Sequence, residues 1–164
     1  MPARAILARS MYVPMELSRV LILDSGSEQF ITLTEQGTPE GKSPRSFAIK
    51  IGTAEAVAIE RRLRGIAPPR PQTHELLESV IRSLGGMLER VTIHRLESGT
   101  YYANLVIVRD GETIEVDARP SDAIALSVGC LVPIEVAAEV IEESAEERPD
   151  VEPPIEAGEG DDDE

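Results

Sequence analysis

A chain of 164 residues is long enough to bury a sizeable core and short enough to form one domain with an appendage. Its single cysteine, Cys130, excludes an intramolecular disulfide and, between Gly129 and Leu131-Val132, reads as a small buried thiol; two histidines exclude a multi-histidine metal centre within one subunit. The formal charge is −14, but from Glu142 onward 12 acids face one base, Arg148, so the excess belongs to the C-terminal end and the remainder carries only −3.

In chain order, residues 1–11 read as an extension. It has neither a long apolar signal region nor the roughly 20 apolar residues of a membrane span, so the expectation is a cytoplasmic protein with no membrane attachment. Branched residues predict a strand over 17–23 and a second over 29–34, with Asp24-Ser25-Gly26-Ser27 turning between them. Gly37, Pro39, Gly41 and Pro44 make 35–46 a loop, and Phe47, Ile49 and Ile51 alternate as a third strand that ends at Gly52. Thr53 is the expected cap of the next helix, with Glu55 against its positive end and Gly65 as its stop. After a proline-rich link, Thr73 is the next expected cap. Leu76, Leu77, Val80, Ile81 and Leu84 then recur at helical spacing, the clearest amphipathic pattern in the chain, and Gly85-Gly86 ends it.

Strand-like spacing returns at 88–96 and 101–108, with Tyr101 and Tyr102 on opposite faces, one toward the core and one a stacking or interface residue. Asp110-Gly111 signals a tight hairpin into 113–117, which completes an antiparallel meander. A short helix over 121–128, a strand over 133–136 and a helix over 137–147 follow. Residues 148–164 have too little apolar surface to offset chain entropy and read as a disordered acidic tail, serving solubility or contact with a basic protein partner. The fold expected over 12–147 is α+β, a mixed or antiparallel sheet with packed helices. An internal echo sets Glu55-Ala56-Val57-Ala58-Ile59 beside Asp122-Ala123-Ile124-Ala125-Leu126. Five positions leave a pseudo-repeat and shared capping needs both open.

No nucleotide-binding glycine loop follows a strand, and neither histidine belongs to a His-Glu-x-x-His motif. Two polar junctions remain. At the first, Asp117 ends a strand, Arg119 precedes Pro120, and Asp122 opens a helix. Arg119 can grip a phosphate with its planar fork, and Asp117 with Asp122 can bind Mg²⁺ or Mn²⁺ through carboxylate oxygens. The alternative is an internal Arg–Asp pair with a helix cap. At the second junction, Arg70 or His74 can contact phosphate while Glu75 supplies a hard oxygen ligand or a base; alternatively Thr73 caps, Glu75 meets the helix dipole and His74 is exposed. His94, between Ile93 and Arg95 in a strand, reads as a packing or surface residue.

The ordered set Phe47-Ala48-Ile49-Lys50-Ile51-Gly52, Glu55-Ala56, Arg70-Pro71-Gln72-Thr73-His74-Glu75-Leu76-Leu77, Ser98-Gly99-Thr100-Tyr101-Tyr102-Ala103-Asn104-Leu105 and Val116-Asp117-Ala118-Arg119-Pro120-Ser121-Asp122-Ala123-Ile124-Ala125-Leu126 resembles the bifunctional nuclease domain family over roughly residues 12–140. The resemblance implies an α+β domain associated with cleavage of RNA and DNA. The sequence differs from the family pattern at Glu75, where aspartate is common, at Lys50, where tryptophan is usual, and in the run Ser127-Val128-Gly129-Cys130-Leu131. The leading expectation is therefore a metal-assisted phosphodiesterase. In it Glu75, Asp117 or Asp122 acts as base, Glu55, Glu75, Asp117 and Asp122 are candidate metal ligands, and Arg70, His74 and Arg119 are candidate phosphate contacts. The competing expectation is a non-enzymatic regulatory or interaction domain, as a homo-oligomer, whose polar junctions are structural caps.

Overall fold

The computed structural model describes residues 12–24 and 28–146. The N-terminal extension, the acidic tail and the turn residues 25–27 lie outside the described residues. Ile31 and Leu33, then Phe47, Ile49 and Ile51, then Ala103, Leu105 and Ile107 alternate along three strands, and all are buried on one face of a single seven-stranded sheet. The strands are β1 (Tyr12–Leu21), β2 (Glu28–Glu35), β3 (Ser46–Gly52), β4 (Met87–Glu97), β5 (Thr100–Arg109), β6 (Glu112–Ala118) and β7 (Ile134–Ala137). Their order is β3-β2-β1-β7-β4-β5-β6, antiparallel throughout except for β4 beside β7.

Four helices pack with this sheet: α1 (Thr53–Leu63), α2 (Thr73–Ser83), α3 (Pro120–Cys130) and α4 (Ala138–Glu146). The topology divides about β7. On one side the meander β1–β3 feeds α1, and on the other the meander β4–β6 feeds α3, which agrees with the echo between Glu55 and Asp122. The sheet curls strongly. Phe47 of β3 and Tyr101 of β5, separated by four strands in the sheet order, stack with ring centroids 5.6 Å apart. Helix α4 closes that end of the concave face, burying Val140 and Ile141, and Tyr101 shares a 3.1 Å hydrogen bond with Ser144. Tyr102, on the outer face, lies under the Arg95 guanidinium, 3.8 Å from ring centroid to Cζ.

Helix α3 is the central pillar. Ala123, Ile124, Ala125 and Leu126 are fully buried, so it is apolar on every side, as a helix inside a core must be. Pro120 occupies its first turn, where a missing N–H leaves no bond unmade. Burial of side chains such as Ile124 and Leu126 contributes about 1.5–3 kcal/mol each.

Four local expectations are corrected by the structure. Strand β1 starts at Tyr12, five residues before the predicted start. Pro14 disguised it, yet there β1 pairs with β7 alone, so the absent N–H costs no ladder bond on the other side. Gly52 rather than Thr53 precedes α1, and the Thr53 hydroxyl instead accepts from the buried Gln29 amide at 3.2 Å. Gln72 rather than Thr73 precedes α2, its N–H donating to Glu75 Oε2 at 3.1 Å. The fourth concerns α2 itself. This amphipathic helix buries none of its residues, and Leu76, Leu77, Val80 and Leu84 are exposed.

Candidate active site

The two strand-to-helix junctions of the divided fold meet. Glu55 and Asp122 are each the third residue of a helix, α1 and α3, and both bind Arg119, which precedes α3. Arg119 Nη1 donates to Glu55 Oε1 at 2.9 Å and its Nε to Asp122 Oδ2 at 2.7 Å. Each carboxylate thereby also sits at a positive helix end. Asp122 Oδ1 reaches His74 Nε2 of α2 at 2.9 Å. Burial pushes the Asp122 carboxyl up, but hydrogen bonds from Arg119 and His74 outweigh it and hold the group below its ordinary range. A carboxylate can only accept, so the shared proton sits on His74 Nε2. Arg119 is correspondingly a stronger cation, raised chiefly by its hydrogen bond to Asp122.

A second ion network adjoins the first through the neighbours His74 and Glu75. Glu75 Oε1 accepts from Arg61 Nη2 at 2.7 Å and Arg62 Nη1 at 2.8 Å, both on α1. Burial raises the Glu75 carboxyl, yet these bonds and the Gln72 N–H bring it down to about 2. Arg62, with only 5% of its side chain exposed, also holds Glu78 at 3.1 Å and donates from Nε to the Ala125 carbonyl of α3 at 2.7 Å. Its path crosses Gly129 so closely that a Cβ there would collide with the guanidinium. The glycine in α3 is thus a passage for an arginine that ties three helices together.

Beside Arg119 opens a cleft of about 530 Å³ between β3 and the start of α3. Lys50, Gly52, Glu55, Thr100, Arg119 and Pro120 are among its walls. Glu55 folds back over Gly52, where a Cβ would meet its carboxylate. Arg119 keeps 64% of its side chain exposed. Of its five N–H donors only two are engaged, which leaves a fork for an anion.

The structure brings together Glu55, Arg119, Asp122 and His74, and joins Glu75 to Arg61 and Arg62. Two expected residues stand apart. Asp117 pairs in register with Asn104, opposite in phase to the concave-face pair Val116 and Leu105, so its side chain points to the outer face, without an ion pair to any described residue. Arg70 is exposed in the link before α2 and likewise makes no ion pair with the described residues. The expected Asp117–Asp122 cation pair therefore does not form. A resident divalent cation does not fit the remaining donors as arranged. Arg119 lies between Glu55 and Asp122, two arginines take Glu75, and among the described residues no three His, Cys, Asp or Glu side chains gather to hold a metal. Sequence reading missed Arg61, Arg62, Glu78 and Lys50. A glycine inside an otherwise buried helix was the one signal pointing to Arg62.

Among the described residues no helix is long and apolar enough to cross a membrane. A protein-family model described as the bifunctional nuclease domain matches residues 38–149. An uncharacterized protein of Mycobacterium tuberculosis (strain ATCC 25618 / H37Rv) is 43% identical over 97 residues, which are 59% of this chain and 57% of that protein. Bifunctional nuclease 1 of Oryza sativa subsp. indica is 28% identical over 120 residues, 71% of this chain and 31% of its own length. Bifunctional nuclease 2 of Oryza sativa subsp. japonica is 32% identical over 84 residues, 49% of this chain and 26% of its own length. The chain thus spans less than two thirds of each of these relatives.

Proposed function

The chain belongs to the bifunctional nuclease domain family, and on that premise we propose that it hydrolyses phosphodiester bonds in RNA and DNA at the cleft beside α3. The observation that carries this reading is Arg119, an exposed guanidinium fixed from behind by two carboxylates, with unused donors on a cleft wall. Such a group is preorganised for a phosphate, because it need not be ordered when the anion arrives. Lys50 supplies a second cation on the same wall. Glu55 is the carboxylate placed to accept a proton from an attacking water; as the water oxygen bonds to phosphorus, the bond to the leaving oxygen breaks and Arg119 takes the charge that gathers on the phosphoryl oxygens.

Within this proposal the sequence candidates take different parts. Asp122 and His74 are positioning residues, since they touch Arg119 or one another rather than the cleft. Glu75 is a strut, because a carboxylate held near 2 is a poor base at neutral pH. Asp117 and Arg70 have no assigned part. No step is routed through a metal ion.

A non-enzymatic interaction domain is the competing reading, favoured by the complete pairing of Glu55, Glu75 and Asp122 between helices. Purified protein incubated with end-labelled RNA and single-stranded DNA, in EDTA, Mg²⁺ and Mn²⁺, separates the two. Cleavage in at least one arm is expected, and the arms read metal dependence directly. Intact substrate in every arm, from folded protein, contradicts the nuclease proposal.

A further inference from the structure

Helix α2 is docked by its polar side. At about 100° per residue, Leu76, Leu77, Val80 and Leu84 share one stripe, and all four are exposed. His74, Glu75 and Glu78, on the far side, hold the helix to α1 and α3. Ile81 lies between these sides and faces the sheet, where it packs on the core near Gly86 and Ile107. The stripe therefore looks outward and toward edge strand β6. There Ile114 and Val116 lie beside Ile107 and Leu105 on the concave face and are themselves exposed. A single chain in water ordinarily turns such a helix the other way; an outward apolar face of this extent marks an interaction surface.

We propose that the occupant is a second copy of this chain, with the two α2 helices antiparallel about a twofold axis at Val80. The stripe is self-complementary under that operation: Leu76 and Leu84 lie four residues to either side of Val80, so each meets the other's counterpart, and Val80 meets itself. Ser79 and Ser83 border the stripe and let the helices approach closely. No charge lies on the stripe, so contact desolvates none, and antiparallel helices set opposite dipole ends together. Direct pairing of β6 edges is disfavoured, because Glu112, Glu115 and Asp117 would bring like charges together. Half-exposed side chains on one short helix and two on β6 bury an area at the small end of protein interfaces, so the dimer is reversible, with a dissociation constant on the order of 1–100 µM.

Sedimentation of the full chain across that concentration range tests this. A monomer–dimer equilibrium is expected, and Val80→Glu should raise its dissociation constant by roughly 30-fold or more with the far-UV circular dichroism unchanged. In a Cys130→Ser background, Val80→Cys should cross-link as a dimer under mild oxidation, while Val57→Cys, exposed on α1, should not. A chain that stays monomeric, a dimer indifferent to Val80→Glu, or equal cross-linking at positions 57 and 80 overturns the proposal. So does a monomer that partitions onto phosphatidylcholine vesicles through Leu76 and Val80, which would assign the face to lipid.

Discussion

Arg62 shows how much of this molecule rests on one side chain. Its guanidinium is almost wholly buried, meets two carboxylates of α2 and a carbonyl of α3, and passes where Gly129 leaves room. Arg62→Ala strands Glu78 without its buried partner and should cost about 3–5 kcal/mol. Gly129→Ala should cost about 1–3 kcal/mol by overpacking despite the better helix propensity of alanine, and both losses are read from denaturant midpoints. Glu75 gives a pH signature. Its folded value of about 2 lies below its ordinary 4.5, so it stabilises the protein above that ordinary value, and the contribution is lost as pH falls toward 2. Glu75→Gln should be less stable at pH 7 and should lose less between pH 5 and pH 2.5 when melting temperatures are compared. Composition hid this network. Arg61-Arg62 reads as a solvated helix face, because nothing local reveals that two acids of the next helix lie above it.

At the scale of elements, locally encoded features were legible. The hairpins at 97–100 and 109–112 follow from the residues themselves: Ser98 with Gly99 and Asp110 with Gly111 all take positive φ, as tight turns between twisted strands require. Helix existence and the β4–β6 meander were equally readable. The start of β1 was not, because Pro14 is tolerated only for want of a second partner strand, a fact of sheet order that no local pattern records. The orientation of α2 was not legible either. Periodicity shows that a helix has an apolar side, but arginines on α1 decide which side faces in. Since α2 is held by ion pairs more than by buried apolar area, salt should loosen it selectively. Amide exchange in α2 should accelerate at high salt while β4 and β5 stay protected; uniform behaviour of α2 and the strands would argue against electrostatic docking.

At the scale of the whole molecule, two meander–helix units flank β7 and bring two helix starts to one place. The sequence echo of Glu55 and Asp122 is thereby given a physical meaning: related positions converge on one arginine. The candidate site was thus half legible. The Arg119–Asp122 junction and Glu55 were readable from the chain, whereas the removal of Asp117 to the outer face depends on strand register and the cleft depends on sheet curvature. The formal charge of −14 sits mainly at the C-terminal end and leaves recognition of a polyanion to local cations. Arg119 is the central one. Its substitution by alanine, with Arg119→Lys and Arg70→Ala alongside, tests the account most directly through kcat/KM on a labelled RNA, with melting temperature as the fold control. The account predicts a loss of about 10²–10³-fold for Arg119→Ala, partial retention for Arg119→Lys and little change for Arg70→Ala. Unchanged kcat/KM in a folded Arg119→Ala protein would contradict it.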